Sequence, residues 1–506
     1  MKQKNKIPLL SKVSYGMGDA TFTFGTAITG FYLLIFLTNV VGLKGYLASL
    51  IIFAGFLWDA ITDPIVGHFS DKIRSKFGKR RKLMLIAIVP LALSFFGVFG
   101  LSTLVANLTP ELLGLSNQYL GLVMYIKAFI VLIIYLIFYL CYTLAYIPYI
   151  SLINDMTTDY HERTSLTGSR MIATIIATIV AVAVPDLIMG DITITHSGEK
   201  FILISAIFGV LMVIIMLITI FGTSEMVDKE EPNTAKFSFY KNFVQCFKEK
   251  NFRRASFAFM FSLSAIFVLQ DTIQYYVNYW LLSPELFLPL AGGVLVLGFL
   301  SVPLWMIVAS KIGKRNTLFI GSLFWVIAFS ILFFLPQQNF NGIMINFQNE
   351  IYVLPQTMGE AIRSFPWYGW AAVIILGFGM GNIHLTAYGM YPDAISHMLE
   401  AAKDKEGSYF GAVSFLQKVG IGFATLIIGP ILDLSGYLAK PSQTWFIALE
   451  SAHQTIDATW LYLQPTDAAP FAIKIVFCAL PIVLMILASV SVKKYDVDKH
   501  YIETKG

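Results

Sequence analysis

Twelve apolar runs of about twenty residues or more recur along this 506-residue chain. Each is long enough to cross the hydrocarbon core of a bilayer as a helix. In lipid every backbone N–H and C=O must be satisfied internally, which only helices and closed barrels achieve. The ten-residue alternation of a barrel strand is absent. The runs fall at roughly 14–40, 46–69, 83–104, 119–150, 166–189, 201–222, 254–282, 287–309, 316–335, 366–390, 409–436 and 470–492. The first is too long for a signal peptide and lacks a clear cleavage site, so it reads as an uncleaved span. Only 13% of residues are charged, about half the share in a soluble domain. The expected fold is an all-α multi-pass membrane protein with twelve transmembrane helices.

The charges give an orientation. The segment from Asp71 to Lys82 carries Lys72, Arg74, Lys76, Lys79, Arg80, Arg81 and Lys82 against one acid. By the positive-inside rule it is cytoplasmic, and with twelve spans both termini are too. Lys311 to Arg315 and Lys493-Lys494 agree, while the opposite loops at 105–118, 190–200, 336–365 and 437–469 are poor in Lys and Arg. The cell (cytoplasmic or inner) membrane is the expected location. Cys141 and Cys478 fall in spans and Cys246 in a charged loop, so no disulfide framework is implied.

An internal repeat divides the chain. Ser75-Lys-Phe-Gly-Lys-Arg80 follows the second span, and Ser310-Lys-Ile-Gly-Lys-Arg315 follows the eighth. Both stand after the second span of their half, the mark of a parallel repeat of two pseudo-symmetric six-helix bundles that bind solute between them. The expected division is 1–222, a polar middle loop 223–253 acting as a linker, and 254–506.

Two acids stand inside the second span, in Trp58-Asp-Ala-Ile-Thr-Asp-Pro-Ile-Val-Gly67. On a helix Asp59 and Asp63 share a face, with Cβ atoms about 6 Å apart. Ionised together they repel by roughly 3 kcal/mol at an effective dielectric of ~20. Such residues mark an ion or solute path, so a cation, a proton or a basic partner is expected there. The alternative is an acid pair kept protonated or salt-bridged for packing. Pro64 cannot donate to the Ala60 carbonyl and leaves one more oxygen beside the acids.

Other polar residues sit in the spans. Asp19 and Thr23 are one turn apart, as are Thr143 and Tyr146. Arg170 lies just inside span five, where a lipid-interface snorkel is the other reading. Gln270, Gln274 and Asn278 form a stripe in span seven with Asp271 beside it, and such a stripe faces either a cavity or a neighbouring helix. Gln417 and Lys418 stand deep in span eleven, and His384 reads as structural. Walker A, His-Glu-x-x-His, Gly-x-Ser-x-Gly and Cys-x-x-Cys patterns are absent. ATP-driven transport and enzyme chemistry have no support, and the basic loops read as topology signals rather than nucleic-acid contacts.

These residues carry a resemblance to the glycoside–pentoside–hexuronide:cation symporters, the melibiose-permease group of the major facilitator superfamily. It runs ungapped from Ser14-Tyr-Gly16 through Thr38-Asn-Val-Val-Gly-Leu43 to Trp58-Asp-Ala-Ile-Thr-Asp-Pro64 and Gly67. It resumes at Tyr142-Thr143, Ile147-Pro148, Arg163 and Arg170, and again around Asp393 and Lys418. The resemblance implies that Asp59 and Asp63 bind the coupling cation, with Thr62 (an asparagine in the family) and Thr143 as further oxygen ligands. Hard oxygen donors suit Na⁺ and equally H⁺. The sugar site departs from the family pattern: Thr23 and Tyr146 stand where acids are expected, and Ile150 where a tryptophan is. The basic Arg170 and Lys418 remain, and Asp19 is placed to substitute.

The reading is a secondary active transporter: cation-coupled symport of a sugar or glycoside by alternating access. It has no catalytic residues and no cofactor, and a monovalent cation, a small solute and the bilayer are its partners. Function as a monomer is expected. Cation-binding candidates are Asp59, Thr62, Asp63 and Thr143. Solute-binding candidates are Asp19, Thr23, Tyr146, Arg170, Gln270, Asp271, Gln274 and Lys418. The same family includes animal lysophospholipid symporters, so an amphiphilic solute is the first alternative. A non-transporting membrane sensor or scaffold is the second.

Overall fold

A computed structural model describes residues 7–72, 78–157, 159–189, 197–223, 246–336, 343–347, 350–354, 358–397, 406–437 and 468–497. Residues 73–77 of the first basic loop, most of the middle loop, most of 437–469 and the C-terminal tail lie outside these. Among the described residues, twelve helices are long and apolar enough to cross a membrane. They are α1 Leu9–Asn39, α2 Gly45–Lys72, α3 Lys79–Phe96, α4 Leu120–Met156, α5 Tyr160–Met189 and α6 Ser197–Gly222, then α7 Lys250–Tyr275, α8 Phe287–Ile312, α9 Lys314–Phe334, α10 Trp367–His397, α11 Glu406–Leu434 and α12 Ala468–Val492. Each matches one expected span. A short antiparallel pair, β1 Ile343–Phe347 and β2 Glu350–Leu354, precedes α10.

Several helices extend past their apolar runs for identifiable reasons. The first begins at Leu9 rather than near 14, where Lys12 pairs with Glu162 of α5 at 2.8 Å. The fourth runs on to Met156, and its polar end is held by an ion pair from Arg80 to Asp155 at 3.2 Å. In the later half Lys314 plays a similar part on Asp393 at 2.6 Å. The basic loops thus feed ion pairs as well as marking topology. Both α3 and α7 continue through a π turn, Gly97–Leu101 and Tyr276–Trp280.

The chain forms two compact units. The first comprises residues 1–29, 57–189 and 196–237; the second comprises 30–56, 190–195 and 238–506. Within the first, α3 packs on α4 and α6, and α5 on α6. Within the second, α9 packs on α10 and α12, and α11 on α12, so the pairings recur six helices later. The second unit also holds the end of α1 and the start of α2. There Thr38 and Tyr275 share a hydrogen bond of 2.6 Å, Asn39 donates to the Tyr279 hydroxyl at 2.7 Å, and the Asp433 carboxylate accepts from the N–H groups of Gly45 and Tyr46 at 2.8 and 2.7 Å. A carboxylate on the free N–H groups opening α2 is a favourable cap. Glycine is required beside it: a Cβ on Gly429 would lie 2.0 Å from the Gly45 carbonyl oxygen.

Candidate cation and solute sites

In the first unit α2 and α4 bring Asp59, Thr62 and Thr143 together. Thr143 Oγ1 donates to Asp59 Oδ1 at 2.7 Å. Thr62 Oγ1 donates to the Asp59 carbonyl at 3.3 Å and lies 3.4 Å from Thr143 Oγ1. All three are buried, and Asp63 is half-buried one turn further along. The helix runs unbroken through Pro64, which leaves the Ala60 carbonyl without its usual N–H donor. The group is one of anionic and neutral oxygens, the donor set for a hard monovalent cation. Among the described residues no cluster of three or more His, Cys, Asp or Glu exists, so a softer metal centre has no ligands there.

A second polar group forms where α1 meets α5. Arg170 Nη2 donates to Asp19 Oδ1 at 2.9 Å and Nε to the same oxygen at 3.3 Å, while Thr174 donates to Oδ2. The arginine is therefore an ion-pair partner and not a lipid snorkel. Its guanidinium lies 5.3 Å from the centre of the Tyr149 ring, within cation–π range. Tyr149 stacks on Tyr15 at 5.1 Å and donates to the Tyr15 carbonyl at 2.8 Å. Phe22 meets Tyr149, Tyr146 and Tyr142, and Tyr146 stacks on Tyr142 at 5.3 Å. One ion pair is thus set in an aromatic wall. Thr23 turns its hydroxyl back onto the Asp19 carbonyl at 2.9 Å, so it does not extend the pair.

Sequence reasoning found Asp19 and Arg170 and missed Thr174, Tyr149 and Tyr15. Thr174 lies four residues after Arg170, the same-face spacing used elsewhere. The tyrosines carried no distinguishing signal in a chain with 24 of them.

The second unit holds the remaining candidates. Gln270 is half-buried against Gly30, where a Cβ would come within 2.9 Å of its Oε1. Asp271 accepts from Thr425 Oγ1 of α11 at 2.8 Å. Gln274 and Asn278 are buried, and Lys418 is half-buried in α11. His384 bonds the Met380 carbonyl and stacks on Tyr388, a structural part. Lys474 of α12 escaped notice in its apolar run: its ammonium lies 3.9 Å from the Trp280 ring centre, with Phe333 and Phe471 alongside.

Comparisons with known proteins agree with the twelve-helix fold. The family described as MFS/sugar transport protein matches residues 14–499. An uncharacterized symporter of Synechocystis sp. is 24% identical over 86% of this chain and 87% of its own length. A sodium-dependent lysophosphatidylcholine symporter of Xenopus tropicalis is 22% identical over 96% and 86%. A sphingosine-1-phosphate transporter of the same organism is 24% identical over 88% and 84%. Among solved structures, a bacterial homologue of the human lysosomal transporter Spinster covers 99% of both chains at 12% identity with a TM-score of 0.62. The D-xylose–proton symporter covers 96% of this chain and 97% of its own at 15% identity and 0.55. The chain belongs to the MFS/sugar transport protein family of the major facilitator superfamily, and it is a multi-pass membrane transporter, not an enzyme.

Proposed function

We propose that the chain is a cation-coupled symporter whose solute is an amphiphile with a phosphate-bearing, zwitterionic head. Symporters among its relatives support coupling to a cation, without a cofactor. The coupling cation, Na⁺ or H⁺, sits at Asp59 and Asp63 with Thr62 and Thr143. The observation that carries the solute reading is the Asp19–Arg170 pair in its aromatic wall. A headgroup phosphate replaces the carboxylate on the guanidinium, which favours bidentate anions. The released Asp19 and the faces of Tyr15 and Tyr149 then meet the headgroup ammonium. Lys418 and Gln270 are the second unit's candidate solute contacts. Lysophosphatidylcholine and sphingosine-1-phosphate transporters among the relatives support the same class.

A sugar or glycoside is the second reading. It is favoured by the description of the matching family and by the retained Arg170 and Lys418. In either case we place the chain beside the glycoside–pentoside–hexuronide:cation symporters, in the cell membrane with both termini cytoplasmic. Proteoliposomes decide between the solutes. Labelled lysophosphatidylcholine is expected to accumulate under an inward cation gradient and labelled melibiose is not. Accumulation of melibiose alone would reverse the choice, and accumulation of neither would remove both.

A further inference from the structure

The second unit contains an acid that the cation site just described does not use. Asp271 lies within α7 and is 4% exposed. Among the described residues its one hydrogen-bond partner is Thr425, which donates to Oδ2 at 2.8 Å. Titratable groups on the elements packed here are Arg253, Arg254 and Tyr275 on the helix itself, His384, Tyr388, Tyr391 and Asp393 on α10, Tyr409, Lys418 and Asp433 on α11, and Lys474 and Cys478 on α12, among others nearer the helix ends. None of them makes a hydrogen bond or ion pair with Asp271. Tyr275 is engaged with Thr38, His384 with the Met380 carbonyl, Asp433 with the start of α2, and Lys474 with three aromatic rings.

A second observation stands one turn away. Gln274 is 1% exposed, and neither its amide nitrogen nor its amide oxygen has a hydrogen-bond partner. Its position three residues on puts it near the Asp271 face of the helix. An ionised carboxylate served by one hydroxyl is costly in a membrane-spanning helix, and so is an amide with nothing to bond. One added proton relieves the first and the oxygen's share of the second. It neutralises the carboxyl and supplies an O–H for the Gln274 oxygen to accept.

We propose that Asp271, with Thr425 and Gln274, forms a proton-binding site within the second unit, distinct from Asp59 and Asp63. A hydronium ion transfers its proton to a carboxylate oxygen of Asp271, forming the O–H bond and leaving water. On release the proton returns to water, and the Thr425 hydroxyl continues to serve the carboxylate. The site does not depend on which solute the protein carries.

The test is infrared spectroscopy of the full-length protein in lipid nanodiscs, titrated from roughly pH 5 to pH 10, a span that brackets ordinary carboxyl, His and Tyr titration. A carbonyl band of a protonated carboxyl is expected at the acid end and lost as pH rises. Asp271→Asn removes it, whereas Asp59→Asn and Asp63→Asn retain it, so the result stands apart from that for the proposed cation site. Thr425→Val moves the loss to higher pH, because the hydroxyl serves the ionised form. Should Asp271→Asn fail to fold, Asp271→Glu keeps the carboxyl and displaces the band instead. A band that stays constant across the range marks an acid fixed neutral for packing and overturns the proposal. So does a band absent at every pH, or one that disappears at constant pH on addition of sodium chloride.

Discussion

Asp19 in the first unit and Asp271 in the second are both buried acids on membrane-spanning helices, at 8% and 4% exposure. The first has a guanidinium and a hydroxyl on its two oxygens. The second has a single hydroxyl. Burial alone therefore does not define what an acid does in this protein. A carboxylate with a resident counter-ion is a fixed charge. One without such a partner must find its neutralising charge in solution.

The comparison predicts unequal costs. Arg170→Gln leaves Asp19 buried without its counter-ion, and thermal unfolding in detergent should show a loss of about 3–5 kcal/mol. A loss well below that range would mean the pair is solvated and that the two acids differ less than their geometry suggests. Thr174→Val removes a donor from a charged acceptor and is expected to cost about 1.5–3 kcal/mol. Thr425→Val removes the equivalent donor from Asp271. With a neutral carboxyl there, the cost falls to about 0.5–1.5 kcal/mol. Equal losses for the two threonine variants would break the comparison. The smallest effect belongs to Asp271→Asn, which copies the neutral form and should unfold within about 1 kcal/mol of the native protein.

The sequence disclosed the fold because lipid enforces it. Every apolar run of the required length became a helix, since no other element satisfies the backbone there. The ends were less visible. Lys12 and Asp155 look like loop residues, yet partners from α5 and α3 keep them on helices. The π turns at Gly97–Leu101 and Tyr276–Trp280 left no trace in hydropathy, because they alter backbone pairing and not composition. For the sites, charge was the legible signal. Asp19, Arg170, Asp59 and Asp63 stand out against apolar neighbours, and the structure joins Asp19 to Arg170. Aromatic partners were not legible, because Tyr149 and Tyr15 resemble the many other rings of the chain until the helices pack. Lys474 carried the same charge signal and was passed over near the start of its run; the structure sets it against Trp280, Phe333 and Phe471.

The central claim is that Asp59 and Asp63 hold the coupling cation, and gradient-driven uptake tests it most directly. Wild-type protein, Asp59→Asn and Asp63→Asn are reconstituted into proteoliposomes. Labelled lysophosphatidylcholine is then supplied with and without an inward sodium or proton gradient. Each substitution keeps the shape of its side chain and removes one of the two charges that offset the cation's lost hydration. The wild type should accumulate solute above equilibrium only under the gradient. Both variants should lose that accumulation while still exchanging labelled for unlabelled solute, because the proposed solute contacts at Asp19 and Arg170 lie on other helices. Full accumulation by either variant under the gradient would contradict the account.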